Sequence, residues 1–534
     1  MSMTAQYTFT DSFGFASRFS RPLQFTMNLR GSGAGTVPFI YRLPTEMLSR
    51  IFELGTHDSD DANDAVEFPI QVSAVSKRFR DIACSTPRLW TTITFHSPRP
   101  SWYDPNSDEE YDYSYTRDCF WLERSRACPL DLVMSYRDMS WTFNEEKHYF
   151  RQEHMENILS IIAPHAHRIR KFILLCDTFS PLHAALRFLE REGPKMKALE
   201  TLELYRCNAY VAEYPRFTPS ALAKSIPLLG GCAAPKLTRV VLAGVHVDWD
   251  ASKVPLSNLR SLELNYHPRD VRPSLHEFAD ILRRSPNLHE LNIIGSGPVS
   301  TTIASQESPC ILLSSSVSPI HLSHIHTFKF GYYQAQDALL LLQLVDAPNT
   351  VDLTIKDLSR PAEDDVAGGS SILHLIAHPE TKVFSRLTSL SLENVKAAPE
   401  SISASLHTVS SLHTLSLEAV SKESLAILAD PDFSAEGKLP CPALKRLTLR
   451  LMPNEGVGCL SKVRADAGFP IEYLSIYFRD EVDEQDILLA RRHSIVDLYK
   501  EEGDEFEETV WDDVEDPYAP GGAFNDPEFD SIFS

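Results

Sequence analysis

Between Ile169 and about Phe478 the chain repeats one short pattern: an apolar residue, two others, a second apolar residue, one polar residue and a third apolar one. Eleven segments share it, starting at Ile169 (IRKFIL), Leu199 (LETLEL), Leu237 (LTRVVL), Leu259 (LRSLEL), Leu288 (LHELNI), Ile325 (IHTFKF), Thr350 (TVDLTI), Leu387 (LTSLSL), Leu412 (LHTLSL), Leu444 (LKRLTL) and Ile471 (IEYLSI). Apolar residues two apart fall on one side of a pleated strand, so each segment predicts a strand with one wet face. Their spacing runs from 22 to 38 residues and averages about 30, which is room for a strand and one returning helix. Helical periodicity fills several gaps, as at Ser274 to Arg284, where Leu275, Phe278, Ile281 and Leu282 share a side, and at the leucine run from Gln336 to Val345. Strands of an ordinary parallel sheet covered on both faces would be almost continuously apolar. LSLEN, LELNY and LTLRL are not. The pattern therefore predicts an α/β solenoid, a curved parallel sheet with helices on its outer face.

From Pro38 to Phe95 the period becomes helical. Pro44 suits the first turn of a helix, where its missing N–H has no partner, and Glu46 meets the positive end of the helix dipole. Met47 with Ile51 and Leu48 with Phe52 then recur at i, i+4, and Gly55 is expected to stop the helix. Val72, Val75, Phe79 and Ile82 predict one further helix, ended before Pro87. THDSDDANDAVE, between the two, has five acids and no apolar period and reads as a solvated loop.

Charge refines the boundaries. The net charge is −22, but Asp480 to Ser534 holds 19 acids against Arg491, Arg492 and Lys500, a net of −16. The body is thus only mildly acidic. The balance argues against nucleic acid or anionic membrane as a partner. The expected organisation is a disordered leader (1–38), a helical module (39–95), a linker with an acidic Tyr-rich insert (96–160), the repeats (161–480) and an acidic, largely disordered tail (481–534). The tail carries Phe506, Trp511, Tyr518, Phe524, Phe529 and Phe533 among its carboxylates. A basic partner, plain disorder, and folding back onto Arg446 and Arg450 are all open to it. Nine scattered cysteines without a CxxC pair predict buried reduced thiols, and no 18-residue apolar window predicts a membrane span.

Catalytic motifs are not evident. GSGAGT (Gly31 to Thr36) lacks the preceding strand and following Lys-Ser/Thr of a phosphate loop. His374 and His378, and the group His321, His324 and His326, lack a third ligand at metal-site spacing. No catalytic residue, metal or cofactor is expected. Binding is the better use of the wet strand faces, whose third, fifth and seventh positions expose Glu203 and Tyr205, Glu263 and Asn265, Glu290 and Asn292, then Lys329, Lys356, Glu393, Glu418, Arg446, Arg450 and Tyr477. Tyr205, Asn265, Asn292, Lys329, Lys356, Arg446, Arg450 and Tyr477 are the candidate contacts for a protein target.

Leu43-Pro44, Met47-Leu48, Ile51-Phe52, Val75-Ser76-Lys77-Arg78-Phe79-Arg80, Ile82-Ala83 and Leu89-Trp90 occur in one order. In that order they resemble the F-box of fungal proteins, and the later segments resemble degenerate leucine-rich repeats. The family's usual Asn or Cys after the strand is met by Cys207 but mostly missing later. The resemblance implies a module that binds a Skp-family adaptor and, through it, a cullin–RING scaffold. It implies adaptor contacts at Leu43, Pro44, Met47, Leu48, Ile51, Phe52 and Val75, with Phe79 and Trp90 internal to the module. The chain would be the non-catalytic substrate-recognition subunit of a Skp-cullin-F-box (SCF) ubiquitin ligase, cytoplasmic or nuclear. The alternative is a repeat scaffold with no part in ubiquitin transfer.

Overall fold

A computed structural model describes residues 39–58, 62–95, 115–138, 141, 144–208, 216–299, 318–359, 366–377, 384, 386–421, 423–429, 439–452, 455–479 and 482–500. Two compact units divide at Ile51/Phe52. The leader with GSGAGT, most of the Tyr-rich insert, Cys310, His378 and the tail beyond Lys500 lie outside the described residues.

The first helix, α1 (Thr45–His57), starts where the Pro44 carbonyl accepts from the Leu48 N–H at 3.1 Å. It runs past Gly55. That glycine serves close packing instead: a Cβ there would stand 2.4 Å from the Phe68 ring. The expected acidic loop and single second helix resolve into α2 (Ala62–Val75) and α3 (Lys77–Ser85). The break falls at Ser76, whose extended backbone and hydroxyl, accepting from the Phe79 N–H at 3.2 Å, cap α3. Phe52 packs on Phe79 with ring centroids 5.2 Å apart, and the buried Trp90 indole donates to the Ala83 carbonyl at 2.9 Å.

The strands are β1 (Thr92–Ile93), β2 (Leu130–Tyr136), β3 (Ile169–Cys176), β4 (Thr201–Arg206), β5 (Arg239–Ala243), β6 (Ser261–Asn265), β7 (Glu290–Ile294), β8 (Ile320–His321), β9 (Thr327–Tyr332), β10 (Val345–Asp346), β11 (Asp352–Asp357), β12 (Ser389–Glu393), β13 (Thr414–Glu418), β14 (Arg446–Arg450), β15 (Tyr473–Phe478) and β16 (Ile495–Lys500). Helices α4 (Thr116–Arg124), α5 (Gln152–Ile162), α6 (Phe179–Glu192), α7 (Leu275–Arg284), α8 (Ala335–Leu344), α9 (Val366–Ala377), α10 (Pro399–Thr408), α11 (Glu423–Ala429), α12 (Val457–Asp466) and α13 (Glu484–Ala490) lie between them. Fourteen strands form one parallel sheet in chain order, with the short β8 and β10 pairing separately. Strictly sequential order, with no reversal, is the topology of a solenoid and not of a doubly wound sheet.

All eleven expected segments are strands of that sheet. Their lead residues are each at most 2% exposed, including Thr350, whose hydroxyl donates to the Ala347 carbonyl at 2.9 Å. Behind them run two ladders, Leu202 through Leu474 and Leu204 through Ile476, which pair strand to strand and are equally buried. The sheet is longer than the expected 161–480 stretch. It takes in β1 and β2 before it and, after it, β16, so α13 and β16 order the start of the expected tail. β16 was missed because its lead position holds His493, and β2 because a register shift between Leu130 and Asp131 brings Leu130, the partner of the lead residue Ile169, one residue too close to Leu132 for the pattern.

The missing Asn or Cys after each strand has a backbone substitute. Gly244, Tyr266, Gly295, Asn394 and Ala419 follow their strands with φ between 49° and 62°, and each donates its N–H to a carbonyl at the end of the next strand at 2.7–3.0 Å. Non-glycine residues bear strain there. Ala419→Gly is expected to raise stability by about 0.5 kcal/mol, read as a higher thermal midpoint, whereas a lower midpoint would show that the turn is unstrained. The expectation of buried thiols holds for Cys176 and Cys441, whose thiol burial pushes up to about 12; Cys459 is exposed and the other described cysteines are partly so.

Candidate functional site

The helical module separates its apolar residues into two sets. Leu48 and Phe52 are 0% and 3% exposed, as expected for i, i+4 residues turned to one side of α1. Met47, Ile51 and Leu54, offset on the same helix, are 53%, 39% and 54% exposed. Val75 at the end of α2 is 58% exposed, and Ile70 is exposed as well. Leu43 is half-buried and Pro44 exposed. Six of the fifteen large apolar side chains exposed among the described residues fall between Phe39 and Val75.

The open face of the sheet carries three rows of side chains in register. One row reads Glu203, Val241, Glu263, Asn292, Lys329, Thr354, and another Tyr205, Ala243, Asn265, Ile294, Gly331, Lys356, Glu393, Glu418, Arg450, Tyr477, Tyr499. Across β4 to β7 the face is organised by Arg239. Its guanidinium stands 2.7 Å from Glu203, 3.8 Å from Glu263 and 3.6 Å from Glu290. Burial works against the charge of Arg239, but the Glu203 hydrogen bond and the attraction of Glu203 and Glu263 lift its pKa. Burial raises the Glu263 carboxyl above its ordinary range, although Asn265 and Arg239 oppose that. Tyr205 donates to Glu203 at 2.9 Å, and burial with that carboxylate raises its phenol.

Toward the other end, Lys356 pairs with Glu393 at 3.4 Å and Arg450 with Glu418 at 3.9 Å. Arg450 lies over the Tyr477 ring at 4.4 Å, Tyr477 stacks on Tyr499 at 4.6 Å, and Arg446 lies over Tyr473 at 4.9 Å. The imidazoles of His324 and His326 each stack nearly parallel to that of His289. Parallel rings do not converge on an ion.

Residues 40–96 match the F-box-like family pattern. The helical module is an F-box-like domain. No curated protein matches the chain. Among 32 solved chains that match, one belongs to the crystal structure of the yeast Rad7 and Elc1 complex, at 11% identity and a TM-score of 0.33, covering 71% of this chain and 70% of that one.

Of the expected adaptor contacts, the F-box-like domain exposes Pro44, Met47, Ile51 and Val75 and half-exposes Leu43. Leu48 and Phe52 are corrected to core positions. Leu54 and Ile70 join the exposed set and were missed, although Leu54 stands three residues beyond Ile51 on the same helix side. Of the expected target contacts, Arg446 is exposed and Asn292, Lys329, Lys356, Arg450 and Tyr477 are half-buried. Tyr205 and Asn265 are 3% and 4% exposed and are withdrawn as free contacts, because Glu203 holds the first while the second bonds Glu263 and the Ile294 N–H. Arg239 was missed although it occupies the third position of LTRVVL.

Proposed function

We propose that the chain is the substrate-recognition subunit of an SCF-type ubiquitin ligase. The observation that supports this reading is the concentration of exposed apolar side chains within an F-box-like domain whose other apolar residues fill a core. Exposed apolar side chains in such number are common where a protein partner binds. The partner fitting the resemblance is a Skp-family adaptor, itself held on a cullin–RING scaffold. The repeat sheet then presents its polar face to a protein target, and ubiquitin is transferred by other subunits, so no catalytic group is required of this chain.

The test is adaptor capture by the full chain. Ile51→Glu combined with Val75→Glu is expected to weaken adaptor binding by about 30-fold or more, the equivalent of ~2 kcal/mol. Both side chains are exposed, so the thermal midpoint should stay within about 1 °C of wild type. Leu48→Ala is the contrast, since it empties a core site and lowers the midpoint. Wild-type chain that fails to capture any Skp-family adaptor would end this reading.

A further inference from the structure

Most charges on the open sheet face are neutralised by neighbours on that face: Arg239 by three glutamates, Lys356 by Glu393. The pair β14 and β15 is built differently. Its register sets Arg446 beside Tyr473, Thr448 beside Ser475 and Arg450 beside Tyr477, so one arginine–tyrosine unit occurs twice with two small hydroxyl side chains between. Each guanidinium lies over the ring of its own register partner, at 4.9 Å for Arg446 and 4.4 Å for Arg450. The two cations are therefore held apart, since four residues along a strand separate their Cα atoms by roughly 13 Å. Among the described residues no carboxylate lies within 4 Å of Arg446, and Glu418 stands 3.9 Å from Arg450. Arg446 and Tyr473 are exposed, and the Arg450 side chain is half-buried. A guanidinium with one face on a ring keeps its edge donors for an anion.

We propose that this patch binds an extended segment of a protein target that carries two carboxylates four residues apart. In an extended segment, residues i and i+4 point to one side and lie about 13 Å apart, which matches the spacing of Arg446 and Arg450. The side chain at i+2 points the same way and meets the low ground over Thr448 and Ser475. A helical segment fails this match, because four residues of helix advance only about 6 Å. Each anchor offers one guanidinium, the charge of one carboxylate, whereas a phosphate dianion calls for more; the adjacent Lys445 is already held by Glu472 at 2.9 Å. Nucleic acid is opposed by the net charge of −22. The inference rests on the reading of the sheet as the target-binding surface and not on the F-box-like domain.

The experiment uses the full chain without adaptor, so that its failure and the failure of adaptor capture are separate results. The probe is a fluorescein-labelled peptide, Gly-Thr-Glu-Thr-Ser-Thr-Glu-Thr-Gly, titrated by fluorescence anisotropy. Replacing both its glutamates by glutamine is expected to weaken binding about tenfold, and moving them to adjacent positions about fivefold. Arg446→Gln with Arg450→Gln should also cost about tenfold, with the thermal midpoint within about 1 °C of wild type. Glu418→Gln removes a carboxylate that competes for Arg450 and should tighten binding about threefold, a gain that a merely structural role would not produce. No binding by wild type at about 1 mM peptide overturns the proposal. So does equal binding of the spaced and adjacent peptides, or indifference to the arginine substitutions. A thymidylate oligonucleotide that displaces the peptide as well as the unlabelled peptide does, or a preference above about tenfold for phosphoserine in place of the glutamates, would overturn the carboxylate assignment.

Discussion

Replacing Arg464 by leucine is expected to cost the repeat region on the order of 3–5 kcal/mol. The side chain is fully buried in α12 and donates to three carbonyls, of Leu428 at 3.3 Å, Pro440 at 3.0 Å and Cys441 at 2.7 Å. It joins the end of α11 to the chain entering β14. Burial lowers its pKa, yet guanidinium stays charged at neutral pH, so three charge-assisted bonds compensate its desolvation. Leucine would take the donor from the Leu428 and Pro440 carbonyls and leave Cys441 only the Leu444 N–H at 3.0 Å. Arg464→Lys is expected to recover less than half of the loss, because one ammonium cannot reproduce the planar fork. Urea denaturation followed by circular dichroism reads both variants, and a leucine variant within about 1 kcal/mol of wild type would mean that the carbonyls find other donors.

The second large effect is a loss of stability in mild acid through His267. Its imidazole is 0% exposed, donates from Nε2 to the Val245 carbonyl at 3.0 Å, and accepts at Nδ1 from the Ser296 hydroxyl at 2.9 Å. Burial, opposed in part by the Val245 bond, lowers its pKa from 6.5 to about 3. The folded state thus refuses a proton that the unfolded state accepts below pH 6.5. Its contribution is complete above that pH and is lost progressively as pH falls toward 3, at about 1.4 kcal/mol per pH unit. Between pH 6.5 and roughly pH 4 the loss is on the order of 3 kcal/mol. His246, which burial also holds below its ordinary pKa, acts in the same direction. His267→Gln should be less stable at neutral pH but flatter against pH by close to one proton. Parallel wild-type and variant curves would show that His267 does not carry the slope.

What the one-dimensional pattern conveyed was periodicity. The lead residue and two following apolar positions of each segment depend only on alternation, and they located eleven strands. Ile51 and Val75 came from the resemblance, since the apolar period alone groups Val75 with Val72, Phe79 and Ile82, which are buried. Which of two neighbouring apolar residues faces inward was less legible: Met47 and Leu48 are adjacent, and only the packing partner decides that Leu48 is the buried one. Tyr205 and Asn265 illustrate the same limit on the sheet. Alternation assigns them to the open face, whereas their burial follows from Glu203 and Glu263 beside them, and pairing across strands requires the register. The break at Ser76 was legible in principle, since serine three residues before Phe79 is an N-cap signal that the apolar period from Val72 to Ile82 overrode.

Strand β1 is formed by Thr92 and Ile93, which belong at once to the F-box-like segment and to the sheet, where they pair with Asp131 and Leu132 of β2. The F-box-like domain is therefore not a detachable cassette. A chain from which everything through Ile93 has been cut away loses the terminal strand and leaves the backbone of β2 as a bare edge, open to pairing with other molecules. A seam at or before Trp90 keeps β1 with its sheet, whereas chains that begin after Ile93 are expected to aggregate through the β2 edge.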